Sequence, residues 1–427
     1  MSALPNPVRL PRAVQTLWYG IEPYSFFDAG RRRHGDIFTV RIAGETWTML
    51  ADPDAVREVF TGDPDVLYSG EANRDLRAIV GTRNVLLMDG AEHLRRRKLL
   101  LPPFHGERMQ AYREIVVAAT ERELAEWPTG RATAALPHTQ SITFEVIMRA
   151  VFGLDDAARL GPLGTRLRAL LDWAQSTRTM LRFALRGPAG LTTYAPLLRM
   201  IARLDEEVFA EIAQRRAAAD LDQRDDILSL LLLARDEAGE PLPDQDIRDE
   251  LLTLLTAGHE TTAAVLAWAL HYLARDEAAW ERLAAGEPGF AEAVVQETLR
   301  IRPAVPLVVR LLKAPLTVAG HDLPAGAVVA PSSVLIQRDP RLYPEPHAFR
   351  PDRFVGTKPG TYTSIPFGGG VRRCIGGAFA QFEASVVLTE IAKRRTLQPY
   401  RRRPERIGRR GIVLIPHRGG RVILSER

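Results

Sequence analysis

The chain has 427 residues, 46% of them hydrophobic and 26% charged, with a net charge of +5. That length exceeds the usual single core, but no Ser/Gly tract, low-complexity block or internal repeat marks a linker between two domains. Its one cysteine, Cys374, excludes an intramolecular disulfide, cannot close a four-ligand zinc or iron–sulfur site, and fits a reducing compartment.

Met1 to Gly20 holds no long apolar run, so neither a signal peptide nor a membrane anchor is expected there. Asp36 to Leu50 alternates around Gly44 and predicts a β-hairpin; Pro53 to Phe60 predicts a short helix. In Glu92-His93-Leu94-Arg95-Arg96-Arg97-Lys98, the i,i+4 spacing puts His93 and Arg97 on one helical face. Arg113 to Ala234 has helical periodicity. Pro188, Gly190 and Pro196 interrupt it and predict a mobile connection. Asp244 is the expected N-cap of a helix reaching about Ala274, roughly 46 Å long at 1.5 Å per residue. Acidic residues in its first turns complement the helix dipole.

In the middle of that helix stands Ala257-Gly258-His259-Glu260-Thr261-Thr262. Gly258 weakens a helix by roughly 0.5–1 kcal/mol relative to alanine. The Thr261 hydroxyl can compete for the carbonyl of Ala257, so a local kink or opening is expected. His259-Glu260 begins the zinc motif H-E-x-x-H, but Ala263 stands where the second histidine belongs, and zinc is rejected. Glu297 and Arg300 pair at i,i+3. Leu311 to Ser333 predicts short strands turning at Gly320 and at Pro324-Ala325-Gly326, and Pro340 to Pro351 a proline-dense loop.

The most informative segment is Phe367-Gly368-Gly369-Gly370-Val371-Arg372-Arg373-Cys374-Ile375-Gly376-Gly377. An apolar run from Ala378 to Ala392 follows at helical spacing. Cys374 is thus expected just before a helix N-terminus, where the dipole and free N–H groups stabilise a thiolate. A single thiolate suffices as an axial ligand of haem iron. A buried structural cysteine and a nucleophile are the competing readings. Phosphate-loop readings fail, because no Gly-Lys-Ser/Thr follows and the G-x-G-x-x-G register breaks at Arg373. Glycines allow positive φ and leave room for a flat macrocycle. From Ile391 to Arg427, twelve Lys/Arg face two Asp/Glu, a local +10 that leaves −5 for the rest. A nucleic-acid tail is one reading. A solvated loop before a hairpin, Ile412 to Leu424, is preferred because strand-like apolar residues are interleaved; nucleic acid is not an expected partner.

The spacing F-x-x-G-x-R-x-C-x-G resembles the haem-binding loop of the cytochrome P450 family, and the resemblance spans nearly the whole chain. It implies a mainly α fold with small β-sheets in a single large domain over 1–427. A β-rich lobe is expected from roughly 36–60 and 311–335, and the haem loop at 367–377. It implies haem b (iron protoporphyrin IX) with Cys374 as axial iron ligand and Phe367, Gly368, Arg372, Gly376 and Ala257 against the cofactor. The central helix matches A/G-G-x-D/E-T-T, which makes Glu260 the proton relay and Thr261 the hydroxyl that orients dioxygen. His93, Arg97, Arg310 and Arg372 match propionate-binding positions. Pro351-Asp352-Arg353-Phe354 resembles P-E-R-F with Asp for Glu, so Glu297, Arg300 and Arg353 form a structural triad behind the loop.

The resemblance further implies a soluble, cytoplasmic monooxygenase that takes O2 and electrons from a ferredoxin or flavodoxin with its reductase. Arg95, Arg96, Lys98 and Arg373 are expected as an exposed basic dock for that donor. Leu86, Leu87, Met88, Leu254, Ala257, Val305, Leu307 and Val308 would line an apolar pocket for a terpenoid, steroid or fatty-acid-like substrate. The alternatives are a peroxide-driven peroxygenase, against which the Glu260–Thr261 pair argues, and a haem-binding sensor or carrier without turnover.

Overall fold

A computed structural model describes residues 4–427 apart from 43, 105–107, 154–156, 175, 177–178, 180–193 and 237. Helices dominate, with four small sheets among the described residues.

The hairpin forms as predicted, Ile37–Ile42 against Glu45–Leu50, with Ile37 opposite Leu50 and Ile42 opposite Glu45. It grows into a five-stranded sheet through a parallel pairing of Glu45–Leu50 with Val328–Pro331, followed by Arg310–Leu312 and Leu67–Tyr68. Segments some 280 residues apart thus share one sheet, sealed by Phe27, Phe38, Val40 and Met49. The helix Pro53–Thr61 follows, capped by the Asp52 carboxylate, which accepts from the N–H groups of Asp54 and Ala55.

The long helix runs Asp244–Leu273. Pro243, not Asp244, takes the cap position; Asp244 is the first helical residue and complements the dipole instead. The helix is continuous through Gly258, and the expected Thr261 hydroxyl bond to the Ala257 carbonyl is present at 2.8 Å. Gly258 serves packing: an added Cβ would meet Ile147 Cδ1 at 3.0 Å, so glycine lets the helix Ala135–Phe152 approach closely. Thr139 and Thr143 of that neighbour donate to the carbonyls of Ala263 and His259. Pro196 lies in the first turn of the helix Ala195–Arg216, where its fixed φ suits a helix start. Pro188 and Gly190 lie outside the described residues.

The C-terminal region departs from expectation. Val413–Pro416 pairs backwards with Ile407–Arg410, and Arg421–Glu426 pairs with Arg395–Pro399 and Ala132–Ala134. Gly411, at φ 57°, sits in the turn between them, so the hairpin starts at Ile407 in the stretch read as a solvated loop, not at Ile412. No described helix is long and apolar enough to cross a membrane.

Candidate active site

The glycine loop ends at the helix Gly377–Arg394, whose N-cap is Gly376. Cys374 therefore precedes a helix N-terminus, and its backbone N–H donates to the Phe367 carbonyl at 2.9 Å. Gly368 and Gly370 have φ of +66° and +63°, which only glycine adopts cheaply. A Cβ on Gly370 would lie 2.0 Å from the Phe60 carbonyl, so the protein's own backbone, besides any macrocycle, demands glycine there. The Cys374 side chain keeps accessible surface although protein atoms crowd it. Its thiol pKa is pushed up by burial, against the pull of the Gly376 N–H, Arg97 and Arg373.

Beside the loop, His93 on the helix Gly90–Leu100 and Arg310 on its strand line one cleft with Phe60 and the loop's own Gly369 and Arg372. His93 is buried and neutral, drawn down to about 3 by burial and by the charges of Arg372, Arg97 and Arg310. Arg310 and Arg372 are both lowered to about 10, chiefly by burial. Asp89 answers them: it ion-pairs with Arg372 and accepts from the N–H groups of Ser69, Gly70 and Glu71. Ser69 in turn accepts from Arg310 at 3.3 Å. Three guanidiniums against one carboxylate leave a surplus of positive charge that suits a dianionic ligand.

The middle of the long helix Asp244–Leu273 presents two different faces. Leu255, His259, Glu260 and Thr262 are buried, whereas Leu254, Ala257 and Thr261 keep accessible surface at one-face spacing. Glu260 points the other way, 2% exposed. Its Oε2 accepts from Gln140 Nε2 at 2.6 Å, and its Oε1 lies 3.2 Å from Arg410 Nε. Burial raises the Glu260 pKa while Arg410 and Gln140 oppose the rise. Arg410 also holds Asp172, a largely exposed carboxylate, at 2.9 Å. A charged chain therefore leads from the buried acid toward solvent.

A sequence model of the cytochrome P450 family matches residues 4–285 and 289–423. A protein of Mycobacterium tuberculosis named cytochrome P450 137 is 41% identical over 397 residues, covering 92% of this chain and 83% of its own. Cytochrome P450 135B1 of Mycobacterium bovis is 39% identical over 435 residues, covering 98% and 91%. This chain belongs to the cytochrome P450 family. The cyanobacterial CYP120A1, solved with retinoic acid bound, shares the P450 fold at TM-score 0.85 and 24% identity, each chain covered completely. The haem domain of cytochrome P450DA does so at TM-score 0.78 and 23% identity, covering 100% of this chain and 98% of that one. P450s bind haem b and are haem-thiolate monooxygenases, oxidoreductases that use O2, a substrate and redox partners. The residues present fit that group, with one accessible cysteine in a glycine loop and a cationic surplus in the cleft beside it.

The P450 triad positions come together. Arg300 donates to both Glu297 oxygens, at 2.6 and 2.8 Å, and to the carbonyls of Gln337, Pro346 and Ala348. Arg353 Nε lies 3.4 Å from Glu297. Asp352 pairs with Arg282 instead. The dock needs correction: Arg96 is buried, ion-paired with Asp246 and 3.5 Å from Glu250, so only Arg95, Lys98 and Arg373 are exposed. A basic run on a helix reads as one solvated face, but Arg96 lies on the face turned to the long helix. Of the residues expected at a pocket, Leu86, Leu87, Leu254, Val305, Leu307 and Val308 are partly accessible, while Met88 is buried and its carbonyl accepts from Arg372.

Sequence reasoning missed the acids that grip the loop before His93. Asp249 accepts from the N–H groups of Thr82 and Arg83, and Glu250 from that of Val85. Their only signal was acidity in the helix's first turns, explained above by its dipole. Asp89, Gln140 and Arg410 were missed as well; Arg410 was hidden inside a basic run.

Proposed function

We propose that this P450 hydroxylates or epoxidises an apolar small molecule held against the Leu254–Ala257–Thr261 face of the long helix. One oxygen atom enters the substrate and the other leaves as water, consuming two protons and two electrons. Haem, when bound, supplies the iron at which dioxygen is reduced. Cys374 would hold the iron through its sulfur, and His93, Arg97, Arg310 and Arg372 would take the propionates. The observation that carries the reading is the split of adjacent residues: Thr261 faces the accessible side and Glu260 the buried one. The Thr261 hydroxyl, anchored on the Ala257 carbonyl, presents its oxygen to the reaction side. Glu260 takes up protons from the Arg410–Asp172 side and passes them on through water, which a raised pKa favours.

The apolar character of Leu86, Leu87, Leu254, Val305, Leu307 and Val308 supports a terpenoid, steroid or fatty-acid-like substrate. Exposed Arg95, Lys98 and Arg373 support an acidic ferredoxin or flavodoxin as electron donor. A cytoplasmic setting accords with the single free thiol. The test begins with the ferrous–CO spectrum, which distinguishes thiolate from nitrogen ligation. It continues with Glu260→Gln and Thr261→Ala under surrogate redox partners. Both variants should keep reducing power flowing while diverting it from product to peroxide. Unchanged product per NADPH in both would remove the assigned roles.

A further inference from the structure

A second cleft lies in the C-terminal region, formed by the loop Tyr400–Arg406, the turn Pro416–Arg421 and the end of the long helix, with a volume of about 290 Å³. Six arginines line it: Arg275, Arg401, Arg403, Arg406, Arg418 and Arg421. Among the described residues none of Arg401, Arg403, Arg406, Arg418 and Arg421 ion-pairs with a carboxylate. The acidic lining residue, Glu405, is already committed: its oxygens accept from the backbone N–H groups of Arg418, Gly420 and Arg421.

The cleft is braced from beneath. Arg275 donates to the carbonyls of Arg401 and Arg403 at 2.9 and 3.3 Å. Fully buried His271 accepts the Glu405 N–H on Nε2, which requires the unprotonated nitrogen; burial lowers its pKa to about 4. Arg401 and Arg421 stand over the Tyr400 ring, 5.1 and 5.7 Å from its centroid. The Tyr400 phenol is shifted downward by the Arg401 hydrogen bond and by both charges, the mark of a strongly positive field. A solvated tail needs no such scaffold. Self-repulsion among these cations is a standing cost that a bound anion would relieve.

We propose that this cleft binds a compact polyphosphate group, two or more adjoining phosphates, at a site separate from the haem cleft. Guanidinium forks match phosphate oxygens in pairs. Six guanidiniums against one engaged carboxylate exceed what a single carboxylate or phosphate neutralises. The volume lies at the lower edge of small-ligand sites, roughly 300–1,000 Å³, which suits a headgroup and not a duplex. The group could be carried by a nucleotide or by a lipid with two phosphates; the chemistry read by the arginines is the same.

The experiment titrates the holoenzyme with sodium tripolyphosphate by calorimetry at fixed ionic strength. Binding should weaken about tenfold in Arg403→Gln and again in Arg418→Gln, the worth of one charge-assisted hydrogen bond each. Arg32→Gln/Arg33→Gln, an exposed pair on another helix, should change nothing. Both cleft side chains are exposed, so the haem spectrum and melting temperature serve as folding controls, with Arg406→Gln as the substitute if either fails. Competition by ATP assigns a nucleotide source, and sedimentation with cardiolipin vesicles, lost in the variants, a lipid source. Wild-type binding no tighter than for matched chloride, equal loss in the Arg32/Arg33 control, or tighter binding of duplex DNA would each overturn the proposal.

Discussion

Two arginine-rich regions of this P450 use the same side chain in opposite ways. Around Glu297, Arg300 is fully buried and its donors end on two carboxylate oxygens and three carbonyls. In the C-terminal cleft, Arg401, Arg403, Arg406, Arg418 and Arg421 stand exposed and, among the described residues, ion-pair with no carboxylate. Burial forces completeness, because each unmet donor costs desolvation. At the surface water satisfies the donors, so the unmet quantity is charge, and charge can select a ligand. The contrast shows that counting arginines says little until their acceptors are located.

The comparison is broken most severely at Glu297. Glu297→Ala leaves Arg300 and Arg353 uncompensated, an expected cost of about 3–5 kcal/mol. The purified variant should lack haem by absorbance; a haem-replete protein with wild-type melting would refute the clamp. Next comes Arg300→Lys, which keeps the charge but not the fork. Stranded carbonyls of Gln337, Pro346 and Ala348 should cost roughly 1–3 kcal/mol, read by urea unfolding; a loss no larger than that of a surface substitution would argue against the geometry.

Acid sharpens the comparison from the other side. His271, beneath the cleft, is neutral when folded, with a pKa near 4 against an ordinary 6.5. Between those values the unfolded chain binds more protons, so His271 contributes stability above about pH 6.5 that is lost as pH falls toward 4. His259, also lowered to about 4, acts in the same sense. Melting temperature should drop from pH 7 to 5, and His271→Gln should flatten that slope by up to about 1.4 kcal/mol per pH unit; an unchanged slope would mean His271 does not titrate with unfolding. The smallest effect is expected at Arg406→Gln, within about 0.5 kcal/mol of wild type and slightly stabilising at low salt. Clear destabilisation in a salt series would reveal an unseen structural bond.

Where chemistry is written in consecutive residues, the sequence was readable. The Phe367–Gly377 loop, the Glu260–Thr261 step and the Glu297–Arg300 pair fell where their spacing put them, because helix periodicity and tight turns are local. The hairpin at 37–50 and the strands after 310 were legible for the same reason, although their sharing of one sheet was not visible in either segment. Partners brought from afar were not legible. Arg96 left the basic face because Asp246, some 150 residues on, offered a buried acceptor. Arg410 left the basic tail to reach Glu260, and Val413–Pro416 chose the strand before it over the one after.

Phe60 has a consequence for engineering. Its carbonyl and ring occupy the space that side chains at Gly370 and Gly369 would need, so the cysteine loop is wedged against the short helix leaving the five-stranded sheet. A nudge to that sheet reaches the cysteine loop through Phe60 without passing through the long helix. Redesign of the cysteine surroundings therefore has a handle at Phe60, remote in sequence from the motif and separate from Glu260 and Thr261.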